Sequence, residues 1–114
     1  MRARLDSSTF RLPVEKLRAG YYSDAYFTST KALLEAEGRH PVVVLQVFQK
    51  RDAVFGGINE PLAILRLCSG HKGPAGWEPG WGKLEVHALF EGDDIAPREP
   101  VLQVAGDYGL FCHL

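Results

Sequence analysis

The sequence has little cysteine and no long hydrophobic run, and each shortage excludes a class of protein. Its two cysteines, Cys68 and Cys112, lie far apart and form neither a CxxC pair nor a metal-ligand pattern. We therefore expect no disulfide framework, but reduced, half-buried thiols in a cytoplasmic protein. The longest apolar run, from Val42 to Val47, contains Gln46 and is far too short to span a bilayer. The N-terminus lacks the apolar segment that a signal peptide needs.

An excess of charge of either sign is also missing. The chain has 13 Lys and Arg residues against 14 Asp and Glu residues, which gives a formal net charge of −1. This balance predicts no broad attraction to nucleic acid or to a membrane. The basic residues near the start have no interleaved aromatic residues, so they indicate solvated surface rather than a nucleic-acid stripe. They are Arg2, Arg4, Arg11, Lys16 and Arg18.

Motifs for metal binding and for nucleophilic catalysis are absent too. The histidines show neither HxH nor HExxH spacing, so the sequence predicts no metal site. It has no nucleophile elbow, no P-loop and no Ser-His-Asp order. The acidic residues between positions 91 and 99 suggest Mg²⁺, but a solvated hairpin explains them more simply. The histidines are His40, His71, His87 and His113.

What remains is the composition of one small domain. A chain of 114 residues with 46% apolar and 24% charged residues is long enough for a single modest core. Helical and extended patterns follow in the order helix, strand, helix, strands, which predicts an α+β fold with a mainly antiparallel sheet. We expect residues 1–11 to be frayed or extended. Residues 69–82 contain five glycines, two prolines, Trp77 and Trp81, and predict a long loop.

Three segments have helical patterns. A short turn is expected from Pro13 to Arg18. Ser23 is the predicted N-cap of a longer helix, and Gly38 ends it as a C′ glycine. Asn59 is the predicted N-cap of a helix that runs to about Cys68.

The strands are expected to be short. Residues 41–48 are rich in β-branched side chains and predict a buried strand. Residues 83–90 alternate as a half-buried strand does. Two more strands are expected around residues 94–96 and 101–104, so that residues 91–106 fold back on themselves around Gly92.

Two pairs of residues are candidates for ligand binding. Asp24 and Tyr26 lie at the start of a predicted helix, where an aromatic ring can stack on a planar ligand and a carboxylate can bind a ring nitrogen or a hydroxyl. Alternatively, Asp24 would complement the helix dipole and Tyr26 would pack in the core. Lys50 and Arg51 end a strand, where a guanidinium can hold phosphate, although exposed Lys-Arg pairs are common. The following Phe55-Gly56-Gly57 is a weak candidate for a phosphate-binding turn.

Three segments, taken in order, resemble the N-terminal domain of nicotinate phosphoribosyltransferases. The first, residues 18–27, contains Ser23-Asp24-Ala25-Tyr26-Phe27 and is similar to the family's [S/T]-D-x-Y helix start. The second joins Val47-Phe48-Gln49-Lys50-Arg51 to Gly56-Gly57 and the helix from Asn59. The third runs from Glu91-Gly92 to Phe111-Cys112-His113-Leu114. Together they cover most of residues 18–114.

The resemblance implies a fold and a reaction. The fold is a hammerhead-type α+β domain of type II phosphoribosyltransferases, with two or three helices and a C-terminal α/β barrel that this sequence lacks. The reaction belongs to NAD salvage and joins nicotinate to phosphoribosyl pyrophosphate, usually with ATP and Mg²⁺ in the complete enzyme. The domain itself is expected to bind no cofactor. Quinolinate phosphoribosyltransferase, which usually lacks the helix-start motif, is the second choice.

The resemblance also implies site residues and partners. Tyr26 and Asp24 would contact the pyridine ring, and Arg51 or Lys50 would approach the phosphates. The site would lie at a homodimer interface, or against a separate barrel chain, and the domain alone is expected to be inactive because the catalytic His and phosphate loops belong to the barrel. Without a barrel, we expect Leu110, Phe111 and Leu114 to be exposed.

Two other functions stay open at this point. Residues 91–106 resemble the barrel-sandwich of biotinyl or lipoyl carrier domains, but their turns contain no lysine for attachment. Alternatively, Trp77 and Trp81 are aromatic anchors of a protein-interaction module.

Overall fold

The computed structural model describes residues 3–114 and confirms the α+β class with mostly antiparallel sheets. The described residues form three α-helices and seven strands. The helices are α1 (Val14–Arg18), α2 (Ala25–Glu37) and α3 (Asn59–Cys68). The strands are β1 (Val42–Val47), β2 (Ala53–Val54), β3 (Gly70–Gly73), β4 (Gly76–Pro79), β5 (Glu85–Ala88), β6 (Asp94–Ile95) and β7 (Leu102–Asp107).

The main sheet has three antiparallel strands in the order β1-β7-β5. Val42 pairs with Asp107 and Val47 with Leu102, so β1 lies along the whole of β7. Ala88 of β5 also pairs with Leu102, on the other side of β7. The central strand is therefore the last one in the chain, and the sheet is complete only when the C-terminal segment has been added.

The core lies between α3 and the main sheet. Ile58, Leu62 and Leu65 supply the helical side, while Leu102 and Val104 of β7 supply the sheet side. Ile58 is 2% exposed and Val104 is 1% exposed. Ile95, Val101, Leu110 and Phe111 complete the buried cluster. The expectation of exposure is therefore wrong for Leu110 and Phe111, each only 4% exposed, whereas Leu114 is exposed as predicted.

Strand β1 lies within the predicted residues 41–48 and is one residue shorter at each end, but it is not buried. Val42 is 78% exposed, Val44 is 63% exposed and Val47 is 41% exposed. The reason is its place at the edge of the main sheet, where it has a neighbouring strand on one side only. A β-branched run specifies an extended backbone, but its burial depends on what packs against it.

Residues 69–82 do not form the predicted long loop. Residues 70–79 form the antiparallel hairpin β3–β4, in which Gly70 pairs with Pro79 and Gly73 with Gly76. Gly70 has φ of +124°, and a Cβ there would lie 2.0 Å from the carbonyl oxygen of Glu78. The glycines therefore allow close strand pairing here, where their number suggested irregular structure.

Residues 91–106 do not fold back on themselves. Strand β6 pairs with β2, while β7 pairs with β1 and β5. The turn at Gly92, with φ of +89°, was predicted, but its strands join different sheets. This topology also removes the support for a barrel-sandwich carrier domain.

The N-terminal segment is attached to the core. Asp6 caps a 3₁₀ turn at Ser7–Thr9, and the backbone N–H of Leu5 donates to Asn59 Oδ1 at 3.1 Å. The Arg4 guanidinium donates to the carbonyls of Ala88 and Leu89 at the end of β5. Of the two predicted alternatives, frayed or extended, the backbone is extended at Asp6 and Phe10 on either side of the turn, while Met1 and Arg2 lie outside the described residues.

Two predicted helix caps shift by one residue. The N-cap of α2 is Asp24, whose carboxylate accepts from the N–H of Tyr26 at 2.8 Å, rather than Ser23. Gly38 ends that helix with φ of +63°, as predicted. Asn59 is the first residue of α3, not its cap.

The N-terminus of α3 is capped from a distant part of the chain. The Glu91 carboxylate accepts hydrogen bonds from the N–H groups of Gly57 and Ile58, both at 2.9 Å. The carboxylate thus satisfies free backbone donors and places a negative charge at the positive end of the helix.

Among residues 3–114, no helix is long and apolar enough to cross a membrane.

The Glu91 cap gives a first prediction. Glu91→Ala should lower the free energy of unfolding by about 1–2 kcal/mol, because the variant loses both the hydrogen bonds and the charge at the helix end. Urea unfolding measures the change. Glu60→Ala is the matched control, because Glu60 is an exposed acid in the first turn of the same helix and has only the charge to lose. Equal losses in the two variants would contradict the capping role.

Candidate functional site

The helix start predicted to bind a ligand is accessible. The Tyr26 side chain is 72% exposed, and its ring meets that of Phe27 edge to face at 5.3 Å. The alternative that Tyr26 packs in the core is wrong. One carboxylate oxygen of Asp24 caps α2 by accepting from the Tyr26 N–H, as expected of a residue that complements the helix dipole. This bond also fixes the orientation of the Asp24 side chain.

The start of α2 lies near the turn that follows β7, where Cys112 Sγ is 3.8 Å from the Phe27 carbonyl oxygen. Burial raises the pKa of the Tyr108 hydroxyl above its ordinary value, and the Cys112 and Tyr26 groups add to the effect. Tyr108 is anchored there by its own N–H, which donates to the Pro41 carbonyl at 2.9 Å. The candidate ligand-binding helix start therefore belongs to the end of the main sheet at which β1 begins.

Lys50 and Arg51 lie at the opposite end of β1. Both are exposed in the segment that joins β1 to β2. That segment is held by bonds from Arg98 N–H to the Gln49 carbonyl and from Gln49 Nε2 to the Arg51 carbonyl. A six-residue strand is about 17 Å long. Within this chain, the structure does not bring the two predicted pairs together.

The other weak candidates have structural roles. The Gly57 N–H, proposed for phosphate, already donates to Glu91. The Asp93 carboxylate accepts from Phe90 N–H, and that of Glu99 accepts from Ala96 N–H. Residues 3–114 contain no group of three or more His, Cys, Asp or Glu that could hold a metal ion.

The two tryptophans are part of the fold. Trp81 packs against the core, and the Arg66 guanidinium lies 4.5 Å from the centre of its ring. Trp77 is half-buried and donates from Nε1 to the Ser69 carbonyl at 3.1 Å. Their expected role as exposed anchors is therefore not supported, since removing either ring would disturb packing as well as any partner.

The exposed apolar surface lies elsewhere, on α2 and β1. On α2 and the turn before it, the aromatic rings of Tyr21, Tyr22 and Tyr26 are 68%, 59% and 72% exposed. On β1 and just beyond it, the exposed side chains are Val42, Val44, Leu45, Val47 and Phe48. Exposed large apolar side chains concentrated in two segments are a feature of proteins that use such segments to bind a partner.

Both cysteines are free, as expected, but they are more deeply buried than predicted. Cys68 is 0% exposed and Cys112 is 5% exposed. Burial raises the pKa of each thiol. The protonated thiols therefore behave as small core residues rather than as nucleophiles.

A cleft that the sequence did not reveal lies between α1, α2 and the β3–β4 hairpin. It has a volume of about 540 Å³. Its lining residues are Glu15, Arg18, Ala19, Thr28, Lys31, Ala32, Glu35, Lys72, Gly76, Trp77 and His113. Because these residues come from four separate stretches of the chain, no local motif could have indicated the cleft.

His113 is the buried histidine of this cleft and is only 2% exposed. Burial, and secondarily the Lys31 charge, lowers its pKa to about 4. Its Nε2 lies 2.9 Å from the Cys68 carbonyl, which can only accept, so Nε2 carries the proton and Nδ1 is an acceptor. Trp77 packs against the ring edge to face at 5.9 Å.

No family model matches the chain, and no curated protein matches it. The chain is similar to the crystal structure of a nicotinate-nucleotide pyrophosphorylase from Pyrococcus furiosus, with 28% identity and a TM-score of 0.63. The similarity covers 91% of this chain and 25% of that one, so the chain spans about a quarter of the length of this relative. The finding supports a related phosphoribosyltransferase-type fold, which agrees in part with the resemblance seen in the sequence.

The low pKa of His113 gives a prediction for stability against pH. The folded value of about 4 lies below the unfolded value of 6.5, so the unfolded chain binds more protons between these limits. The neutral histidine's contribution is complete above pH 6.5 and is lost as the pH falls to 4, about 3 kcal/mol in all. As the pH falls from 6.5 to 4, the free energy of unfolding measured with urea should therefore decrease more steeply for the unsubstituted protein than for His113→Gln.

His87→Gln is the control for this measurement, because the His87 side chain is 66% exposed. The free energy of unfolding of His87→Gln should depend on pH as that of the unsubstituted protein does. Parallel curves for the parent and His113→Gln would show that His113 does not titrate differently in the two states.

Proposed function

We propose that this chain is the N-terminal domain of a nicotinate phosphoribosyltransferase, in which it closes an active site completed by a barrel. The observation that carries the proposal is the structural similarity to a nicotinate-nucleotide pyrophosphorylase over 91% of this chain. The ordered sequence motifs support it independently. The proposed reaction of the complete enzyme joins nicotinate and phosphoribosyl pyrophosphate to give nicotinate mononucleotide and pyrophosphate.

In this proposal, α2 presents its N-terminal end to the pyridine ring. Tyr26 offers an exposed aromatic face and Asp24 offers a carboxylate at the same helix tip. These groups bind and orient a planar substrate but do not themselves break the glycosidic bond. The domain alone should be inactive, since contacts from one side of a ligand do not stabilise a transition state enough for catalysis.

The proposed partner surface is the apolar face formed by α2 and β1. The large apolar side chains of these two elements are exposed, as expected of a surface that another domain covers. The partner would be a second copy of the complete chain, in a homodimer, or a separate barrel chain. ATP and Mg²⁺ are proposed for that complete enzyme and not for this domain.

A phosphate role for Lys50 and Arg51 has less support. The two residues are exposed, but they follow the far end of β1, a six-residue strand about 17 Å long. They can contact the phosphates of the ligand that Tyr26 binds only if that ligand spans the strand. Otherwise they face a different site or the partner.

Tyr26→Ala tests the proposed ring contact in the complete or reconstituted enzyme. We expect the Kd for nicotinate to rise about tenfold or more, because an aromatic contact is lost. The melting temperature should change little, because the side chain is 72% exposed. Tyr26→Phe is the matched control, because it keeps the aromatic ring and removes only the hydroxyl, so its affinity for nicotinate should stay close to that of the unsubstituted protein. Unchanged affinity in Tyr26→Ala would remove this residue from the site.

The partner is tested by intact mass under native conditions, using material from the natural source. We expect these residues to occur in a chain of barrel-containing size, or in a tight complex with a second chain of that size. A lone species of 12.6 kDa would contradict the proposed function.

A further inference from the structure

The cleft between α1, α2 and the β3–β4 hairpin is separate from the proposed nicotinate site. Helix α2 contributes Thr28, Lys31, Ala32 and Glu35 to it, at the spacing of one helical face. Tyr26 lies two residues before Thr28, which is about 200° around the helix. One face of α2 therefore borders the cleft, and Tyr26 lies on the opposite face. The cleft volume of about 540 Å³ is large enough for a small molecule.

The charges of the cleft favour a monoanion. Three of its lining residues are basic and two are acidic. Lys31 is held inside, since its Nζ bonds the carbonyls of Gly70 and Gly109 and lies 3.3 Å from Glu35. These bonds also fix the face of α2 that lines the cleft.

The two remaining cations are better placed to meet a ligand. The Arg18 guanidinium donates from Nε to the Leu67 carbonyl, but its ion pair with Glu15 is loose, at 3.7 Å. Lys72 is exposed and has no ion-pair partner among residues 3–114. The net charge of the lining is thus positive by one unit, and Lys72 is its free cation.

The buried side of the cleft has a hydrogen-bond acceptor that lacks a donor among residues 3–114. His113 Nδ1 is a buried acceptor with no partner among residues 3–114. A buried polar atom without a partner is costly, and a hydroxyl group is a donor that can satisfy it. The cleft therefore pairs a cation at its edge with an unsatisfied acceptor at its buried side.

We propose that this cleft binds a small hydroxycarboxylate. The carboxylate meets Lys72 and Arg18 at the edge, and the hydroxyl donates to His113 Nδ1. The remaining volume takes the apolar part of the molecule, beside Trp77. Binding is non-covalent, and it does not depend on nicotinate, on a barrel or on the proposed reaction.

Three matched probes test this proposal on the 114-residue chain by isothermal titration calorimetry at pH 7. Mandelate has both the carboxylate and the hydroxyl, phenylacetate lacks the hydroxyl, and mandelamide lacks the charge. We expect mandelate to bind about tenfold more tightly than either of the others, since each loses one polar contact to a buried or basic group. Equal affinity of mandelate and phenylacetate, or no binding of mandelate, would overturn the proposal.

A pair of variants locates the carboxylate. Lys72→Gln should weaken mandelate binding about threefold to tenfold, whereas Lys83→Gln, which removes an exposed lysine outside the cleft, should leave it unchanged. Both lysines are exposed, so both variants should fold. Equal effects would indicate attraction by overall charge and would contradict a site at Lys72.

The hydroxyl contact has its own readout in ¹⁵N NMR of the imidazole ring. Saturation with mandelate should move the Nδ1 resonance of His113 toward the hydrogen-bonded value, while phenylacetate should not. A resonance that responds equally to both probes, or to neither, would show that no ligand hydroxyl reaches His113.

Discussion

The packing of α3 against β7 is the contact on which the rest of the structure depends. Ile58, directly before α3, and Val104 of β7 belong to the same buried cluster and are 2% and 1% exposed. Elements that do not touch this core are held mainly by directional polar bonds. Lys31, for example, ties α2 to the carbonyls of Gly70 and Gly109. A polar contact also supports the core helix, since the Glu91 carboxylate ties the start of α3 to the turn after β5.

The apolar side chains that stay outside the core indicate where a partner or a ligand could bind. Helix α2 and strand β1 are attached to the core, yet they keep apolar side chains such as Tyr26 and Val42 at the surface. The proposed role of closing another domain's site requires such a face. On its other side, α2 borders a cleft with a different chemistry, in which His113 is kept neutral by burial. One helix thus separates two candidate sites.

Much of the candidate site at α2 was predictable because its signals are local. The Ser23-Asp24-Ala25-Tyr26 run marks a helix start by capping chemistry that needs only neighbouring residues. The cleft was not predictable, because Arg18, Lys72 and His113 come from different parts of the chain and none belongs to a motif. His113 has no spacing that sets it apart from the other histidines, and only burial changes its chemistry.

The sequence by itself determined the class of fold and most element positions, since capping, glycine stops and β-branched runs act over a few residues. It gave α1, α2 and α3 nearly their observed bounds, and it placed β1. Only the tertiary structure decided which strands pair, that β1 lies at an edge with its valines exposed, and that Glu91 caps a helix more than thirty residues earlier. Those outcomes depend on contacts between distant segments, and the free energy of such contacts appears only when the chain has closed around α3 and β7.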